Sequence, residues 1–423
     1  MIKLGECLTI KHGWAFKGEF FAENGKQSIL TPGNFYEAGG FKYNDERERY
    51  YTGEYPHEYL CKKGDLIVAM TEQAAGLLGS TAIVPKDNRY LHNQRIGLIT
   101  CDEKHITKMF AYYLFMTKSV REQISCTSSG TKVKHTSPEK IYDVEVSLPD
   151  IPTQKKIAHF LWTIDCKIRN NIQINDNLQH QLKLLYDYWF TQFDFPDENG
   201  KPYRASGGAM VRNEQLKCEI PQYWNIGTVS DCVEKISTGL NPRDNFVLGN
   251  GSIRYITVKN LTTTGSLDFS GCDMIDEEAR TIVHRRSDIS VGDILFASIA
   301  PLGRCYLIQQ EPTDWDINES VFSIRSKTDK ITPEYLYLFF QSDSFIQKAT
   351  NTSTGSIFKG IRINTLLDTK MIIPDLQVCR NFTKAIKPLL AEINNNSAET
   401  ARLTALRDWL LPMLMNGQAT ISD

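Results

Sequence analysis

The chain has 423 residues, 41% of them hydrophobic, 10% aromatic and 23% charged, with a formal net charge of −2 at pH 7. That is room for two or three domains with well-filled cores. The near-neutral balance excludes a broadly basic nucleic-acid binder, so any such role must rest on local patches or on a partner's charge. The ten cysteines stand singly, without a CxxC pair, so the sequence offers neither a zinc knuckle nor a redox motif. Unpaired thiols suit a reducing cytoplasm. The opening MIKLGECLTIKHGW has no signal-peptide core, and no apolar run approaches membrane-spanning length.

Read in order, the chain runs through one set of elements twice. Residues 4–21, with Cys7, Gly13 and Trp14, are answered by residues 229–246, with Cys232 and Gly239. Ile29-Leu30-Thr31-Pro32-Gly33-Asn34-Phe35, a strand and turn, is answered by Tyr255-Ile256-Thr257-Val258-Lys259-Asn260-Leu261. Lys63-Gly64-Asp65 and Val291-Gly292-Asp293 are turns that each feed a buried strand. Asn93-Gln94 before residues 96–99 matches Asn318-Glu319 before residues 321–324, and helices follow at 106–124 and 331–349. Ser128-Ser129-Gly130-Thr131 then matches Ser353-Thr354-Gly355-Ser356, and Leu148-Pro149-Asp150 matches Ile373-Pro374-Asp375. Asn93 and Asn318, Ile106 and Ile331, Gly130 and Gly355, and Pro149 and Pro374 all keep one offset of 225 residues. Chance rarely holds an offset across so many element types, so the chain reads as a duplication.

Each copy ends in a long helix. Ile157, Leu161, Ile164, Ile168, Leu178, Leu182, Leu185 and Trp189 step along residues 154–193 at spacings of four and three, with Asn171 and Asn175 where the stripe turns polar. Phe382, Ile386, Leu389, Ile393, Asn396, Thr400, Leu403, Arg407, Leu410 and Leu414 repeat the stepping near the C-terminus. This is the heptad pattern of helices meeting along one seam. At 1.5 Å per residue, forty residues make a helix of roughly 60 Å. An asparagine inside such a seam costs stability and selects register. The narrow stripes speak against helices that only complete one large core. Residues 195–208, FPDENGKPYRASGG, read as an exposed linker. The expected divisions are therefore a first head at 1–150, a long helix at 151–194, a linker at 195–219, a second head at 220–376 and a second long helix at 377–423.

A search for chemistry finds none. There is no dinucleotide fingerprint, no phosphate loop and no Asn/Asp-Pro-Pro-aromatic methyltransferase motif. Pro196-Asp197-Glu198 with Lys201 has the residue types of a nuclease cluster but lies in the linker, without a strand to aim the carboxylates. Seven of the eight histidines fall in the first half without metal spacing. Asp65 and Asp293 recur, and turn chemistry explains them. The residues describe a non-catalytic protein with two binding heads.

Two heads, two spacer helices and this order of motifs resemble the specificity (S) subunits of Type I restriction-modification enzymes. The resemblance covers nearly the whole chain. It is carried by the repeated Gly64-Asp65 and Gly292-Asp293 units, by Leu148-Pro149-Asp150-Ile151-Pro152-Thr153-Gln154 leading into the first long helix, and by Ile220-Pro221-Gln222-Tyr223-Trp224 opening the second head. It implies an α+β fold: two pseudo-two-fold-related α/β target-recognition domains joined by two long antiparallel helices that form a coiled-coil spacer. Each head would read one half of a split, asymmetric site in double-stranded DNA. The helices would set the spacing and dock two modification (methyltransferase) subunits, which restriction (motor-nuclease) subunits join. S-adenosylmethionine, ATP and magnesium would belong to those partners, with no cofactor on this chain and no membrane contact. Members often show Glu-Gln before the spacer helix; here Thr153-Gln154 keeps the glutamine, whereas Val378-Cys379 does not, which leaves docking on the second helix in doubt.

For such a reader, lysine and arginine supply affinity through phosphates, and side chains at base edges supply sequence. Lys132, Lys134 and His135 after one Ser/Thr-Gly turn, and Lys359 and Arg362 after the other, are the phosphate candidates. Planar two-pronged groups suit base edges. The first head offers Asn34, Tyr36, Arg47, Arg49, Asn93, Gln94 and Arg95. The second offers Arg243, Lys259, Asn260, Arg280, His284, Arg285, Arg286 and Asn318. The cluster from Arg280 to Arg286 is self-repelling without an anionic partner, whereas residues 42–51 mix acids with bases as a salt-laced face. Half-sites on the order of one helical turn, about 34 Å, apart would both be entered from one side. Two other classes stay open: an adaptor whose heads grip two proteins, and an enzyme site assembled between the heads. The first is separated by whether basic side chains gather on one face, the second by a pocket of convergent carboxylates or histidines.

Overall fold

The computed structural model describes residues 1–43, 48–72, 76–130, 133–214, 217–269, 271–352 and 360–421. The chain forms two compact units, Met1–Ile168 with the segment from Ala401 onward, and Arg169–Thr400. The cut falls inside both long helices, Ile151–Tyr186 and Leu376–Met415.

In the first unit, strands Leu8–His12, Ile96–Cys101, Leu66–Ala69 and Thr81–Ile83 lie side by side in that order, antiparallel throughout. Leu66–Ala69 is buried on both faces, which explains its unbroken run of apolar residues. A second sheet joins Phe21–Ala22, Tyr50–Tyr51, Ser28–Ile29 and Tyr90–Leu91 in that order, with two antiparallel pairings followed by a parallel one. The helix Lys108–Leu114 begins on Thr107, whose hydroxyl accepts from the Phe110 amide, and buries Phe110 and Tyr113.

The second unit repeats this frame. Val233–Thr238, Val321–Ser326, Ile294–Ala297 and Cys305–Leu307 form the matching four-stranded sheet. Asp273–Ile275, Ile253–Ile256 and Trp315–Ile317 match the last three strands of that sheet, again antiparallel and then parallel. Thr332 caps the helix Pro333–Gln341 as Thr107 caps its counterpart. The Gly-Asp turns are also shared. Gly64 and Gly292 take φ of +87° and +90°, a region that favours glycine. The following carboxylates close the turns: Asp65 accepts from the Lys62 amide at 2.8 Å and Asp293 from the Ser290 amide at 3.0 Å.

Both units contain a stretch of each long helix, and in both the stretches run antiparallel. In the first unit Ile157, Ala158 and Leu161 share a core with Leu411, Leu414 and Met415. Nearer the middle of both helices, Arg407 bonds Asp165 at 3.0 Å, and the Tyr113 hydroxyl donates to the other carboxylate oxygen at 2.6 Å. In the second unit Asn171 donates to Glu399 at 2.8 Å, Asn175 to Ser397 at 3.0 Å and Asn396 to Asn175 at 3.0 Å. Further along, Tyr186 and Trp189 pack on Phe382. The seam is therefore apolar toward the heads, whose cores it enters, and polar where the asparagines were expected. Leu390 and Leu411, outside the expected stripe, are buried too.

Two details differ from the sequence reading. The first long helix finishes in a π turn, Asp187–Thr191, that buries Trp189 and Phe190. Residues 195–208 are largely exposed, as expected, but are anchored by their aromatics: Phe195 is buried and stacks between Tyr203 at 4.7 Å and Trp224 at 5.0 Å. Asp197 there accepts from the Asn199 and Lys201 amides at 2.8 Å, a turn-closing role. Among the described residues no helix is long and apolar enough to cross a membrane.

Candidate nucleic-acid interface

Each head carries two matched turns. In the first, Asn34 accepts from the Thr31 amide at 2.8 Å and donates to Lys42 O; Asn260 accepts from the Thr257 amide at 2.9 Å and donates to Asp268 O at 3.0 Å. Both side chains are buried. They hold their turns from inside, as turn closers with their amides spent on backbone groups and not presented to a base edge. Their neighbours Tyr36 and Lys259 are exposed, and the Lys42 ammonium lies 5.8 Å from the Tyr36 ring centroid.

In the second turn, Asn93 accepts from the Arg95 amide at 3.3 Å and Asn318 from the Ser320 amide at 3.0 Å. The preceding strand passes very close: a Cβ on Gly13 would sit 2.1 Å from Asn93 O, and one on Gly239 would sit 1.7 Å from Ile317 O. Only glycine fits there. In the first head the contact places half-exposed Trp14 beside exposed Gln94 and Arg95, with Gln94 N donating to Trp14 O at 3.1 Å. The second head has Leu240, Glu319 and Ser320 at these places.

Lys134 and His135 form a short strand against Thr71 and Glu72. The His135 ring lies 3.1 Å from the Thr71 hydroxyl, and Lys134 reaches Ser125 at 3.5 Å. Arg49, Arg243 and Arg362 are exposed. Arg47, Lys132 and Lys359 lie outside the described residues, as does part of the expected salt-laced face. Of its described residues, Glu48 pairs with Arg89 at 2.8 Å.

The heads differ most after Tyr50–Tyr51 in the first and its counterpart Asp273–Ile275 in the second. The first has only the turn His57–Tyr59; the second has the helix Glu277–Ser287, capped by Asp276. Arg280, His284 and Arg285 from this helix line a cavity with Thr281, Asp288 and Lys235 from the neighbouring strand. Arg286 is exposed on the same helix. The Arg280 guanidinium donates to Pro312 O at 2.7 Å, while its Nε is buried without a partner. His284 Nδ1 sits 3.0 Å from Asp316, a fully buried carboxylate that also accepts from Ser287 Oγ at 2.6 Å and the Ile317 amide at 2.8 Å. Burial pushes the Asp316 carboxyl above its ordinary range against these hydrogen bonds. Asp288 is bonded by Lys235 and, at 3.4 Å, by Arg325, and Lys235 holds its carboxyl below the ordinary range.

Lys235 escaped the sequence reading because it stands 45 residues before Arg280 and meets it only through the fold. Gln154 also takes a different role. It is fully buried, accepts from the Thr107 amide at 2.9 Å, and donates at 2.9 Å to His105 O and to Pro149 O. It therefore ties helix to head, and buried Cys379 stands at the matching place in the second copy, so the Gln-to-Cys difference does not alter an exposed docking face. Among the described residues, no group of three or more His, Cys, Asp or Glu could hold a metal ion.

A duplicated α+β frame, with cationic side chains grouped on loops and one helix, defines a binding protein. A family model for the Type I restriction modification DNA specificity domain matches residues 1–180 and 221–404, and the chain belongs to this family, whose members are non-catalytic specificity subunits. The chain is similar to the specificity subunit of the Type I restriction enzyme HindI of Haemophilus influenzae, with 21% identity over 84% of this chain and 87% of the relative. The EcoBI specificity subunit of Escherichia coli is 22% identical over 95% of this chain and 83% of its own length. The MjaIX specificity subunit of Methanocaldococcus jannaschii is 23% identical over 75% and 70%. The crystal structure of the Type I restriction-modification system S subunit from M. genitalium shares the fold, with a TM-score of 0.55 and 15% identity across 99% of this chain and 96% of that one.

Proposed function

We propose that the chain gives a Type I restriction-modification complex its DNA sequence by reading a bipartite, asymmetric site, one half with each head. The observation that carries this is the contrast between a shared frame and unlike faces. The matched turns are built from the same inward asparagines, while Trp14, Gln94 and Arg95 on one head answer Leu240, Glu319 and Ser320 on the other. The helix Glu277–Ser287, with its four basic residues, has no helical counterpart in the first head. Two readers with one geometry and different chemistry would select two different half-sites.

The long helices set the gap between the half-sites and dock two methyltransferase subunits, which supply S-adenosylmethionine chemistry. Restriction subunits add ATP- and magnesium-dependent cleavage, and the assembly works in the cytoplasm. The near-neutral charge makes DNA binding by this chain alone weak, to be strengthened when the methyltransferase subunits close on the duplex. The cationic cavity favours an anionic partner over the protein-adaptor reading. The test is to map methylated adenines in a host expressing this chain with its methyltransferase. A split motif with unlike halves and a constant unread gap is expected; a continuous motif, or none, would overturn the reading.

A further inference from the structure

We infer that the cavity between the helix Glu277–Ser287 and the strand Val233–Thr238 is a seat for one phosphate of duplex DNA, with Lys235 and buried Asp316 as its unforeseen parts. This rests on the DNA-reading function proposed above.

The cavity is lined by three permanent cations, Lys235, Arg280 and Arg285, together with His284, Thr281 and one acid, Asp288. Arg285 has no ion pair among the described residues, and Arg280 keeps its Nε unpartnered. Asp288 is already engaged by Lys235 and Arg325, so it does not cancel the remaining charge. An oxygen-rich anion in this cavity would relieve the repulsion among the cations, and a phosphate offers several acceptors at once.

Asp316 shapes the seat without touching a ligand. Its carboxylate accepts from His284 Nδ1, fixing the imidazole and leaving Nε2 as the ring atom without a partner. Ser287 and the Ile317 amide lock the carboxylate in turn. Asp316 is thus a positioning residue. Around His284 stand Asp316, Asp288 and the cations Lys235, Arg280 and Arg285.

The experiment measures binding of a short mixed-sequence duplex to the full chain, alone and with its methyltransferase subunits, across a salt series. Arg285→Ala should weaken binding about 5–10-fold at 0.1 M salt and reduce the salt slope by about one. Arg212→Ala, on the hairpin Met210–Asn213, should leave the slope as it is. Asp316→Ala should weaken binding with a smaller effect on the slope, and the conservative Asp316→Asn, whose amide oxygen still accepts from His284, should recover most of the loss. An unchanged slope in Arg285→Ala, or an equal drop in Arg212→Ala, overturns the seat while leaving the DNA reading intact. Millimolar inorganic phosphate that stabilises the wild-type chain but not Arg285→Ala, with duplex binding unaltered, assigns the cavity to a free anion and overturns the duplex assignment. A wild-type assembly that shows no salt-dependent duplex binding removes the DNA reading itself.

Discussion

Asn396 donates its side-chain amide to Asn175 at 3.0 Å, joining the two long helices through a pair of groups that an apolar seam would exclude. Asn175 donates in turn to Ile393 O at 3.1 Å and to Ser397 at 3.0 Å. The bonds depend on register, because a shift that brings Leu178 or Ile393 to these places sets an amide against an apolar side chain. Asn175→Leu alone leaves the buried Asn396 amide short of a partner and should cost about 1–3 kcal/mol. The double variant Asn175→Leu/Asn396→Leu should recover most of that loss. Urea denaturation of the four chains in a double-mutant cycle measures the coupling, and additive losses would remove the pair as a register device.

Deleting residues 173–179 takes out Asn175 and two turns of the first long helix. If the helices set the gap, the methylated motif should change its gap or disappear, while head substitutions change its halves. Adenine-methylation mapping checks this, and an unchanged motif would rule out the spacing role.

The buried pair Asp165–Arg407 gives a second expectation. Arg407→Met leaves a nearly buried carboxylate whose remaining partner among the described residues is the Tyr113 hydroxyl. Removing one member of such a pair costs about 3–5 kcal/mol, whereas replacing both with apolar residues is often close to neutral. Thermal or urea melts of Arg407→Met and of Asp165→Leu/Arg407→Met should separate by that amount.

Gln154→Ala strips three hydrogen bonds from a fully buried site at the start of the first long helix. A loss of about 2–3 kcal/mol is expected. Affinity for the methyltransferase subunit, measured well below the melting range, should be unaltered, because the side chain never reaches the surface. Reduced docking in a fully folded variant would contradict this.

His92 supplies a pH dependence. Burial is the largest influence on its imidazole and pushes it down from 6.5 to about 4, and Nε2 is already committed to Ile96 O at 2.9 Å. Between those two values the unfolded chain holds a proton that the folded chain refuses. Folding stability is therefore full above about pH 6.5 and falls as pH drops toward 4, by up to about 3 kcal/mol. Urea midpoints at several pH values should show this slope, and His92→Gln should flatten it.

The order of elements, the duplication and the seam were legible because they are periodic: a strand, a capped helix and a heptad each leave a repeating mark on the chain. The Gly-Asp turns were legible for the same reason, recurring with one chemistry. What escaped depended on direction. Thr31 with Asn34, and Thr257 with Asn260, carry the spacing of a capping pair, a signal that could have turned both asparagines inward before any coordinates. Phe195, Tyr203 and Trp224 were three aromatics around a glycine-rich stretch, enough to anchor it. Lys235 and Asp316 left no such trace, since their roles exist only once a helix from one part of the chain lies against strands from two others.

The inward asparagines have one more consequence. A residue that closes a turn from beneath relieves the residues above it of structural duty. The outer positions of these turns can then be exchanged wholesale, and a new DNA target acquired, while the chain beneath goes on folding as before.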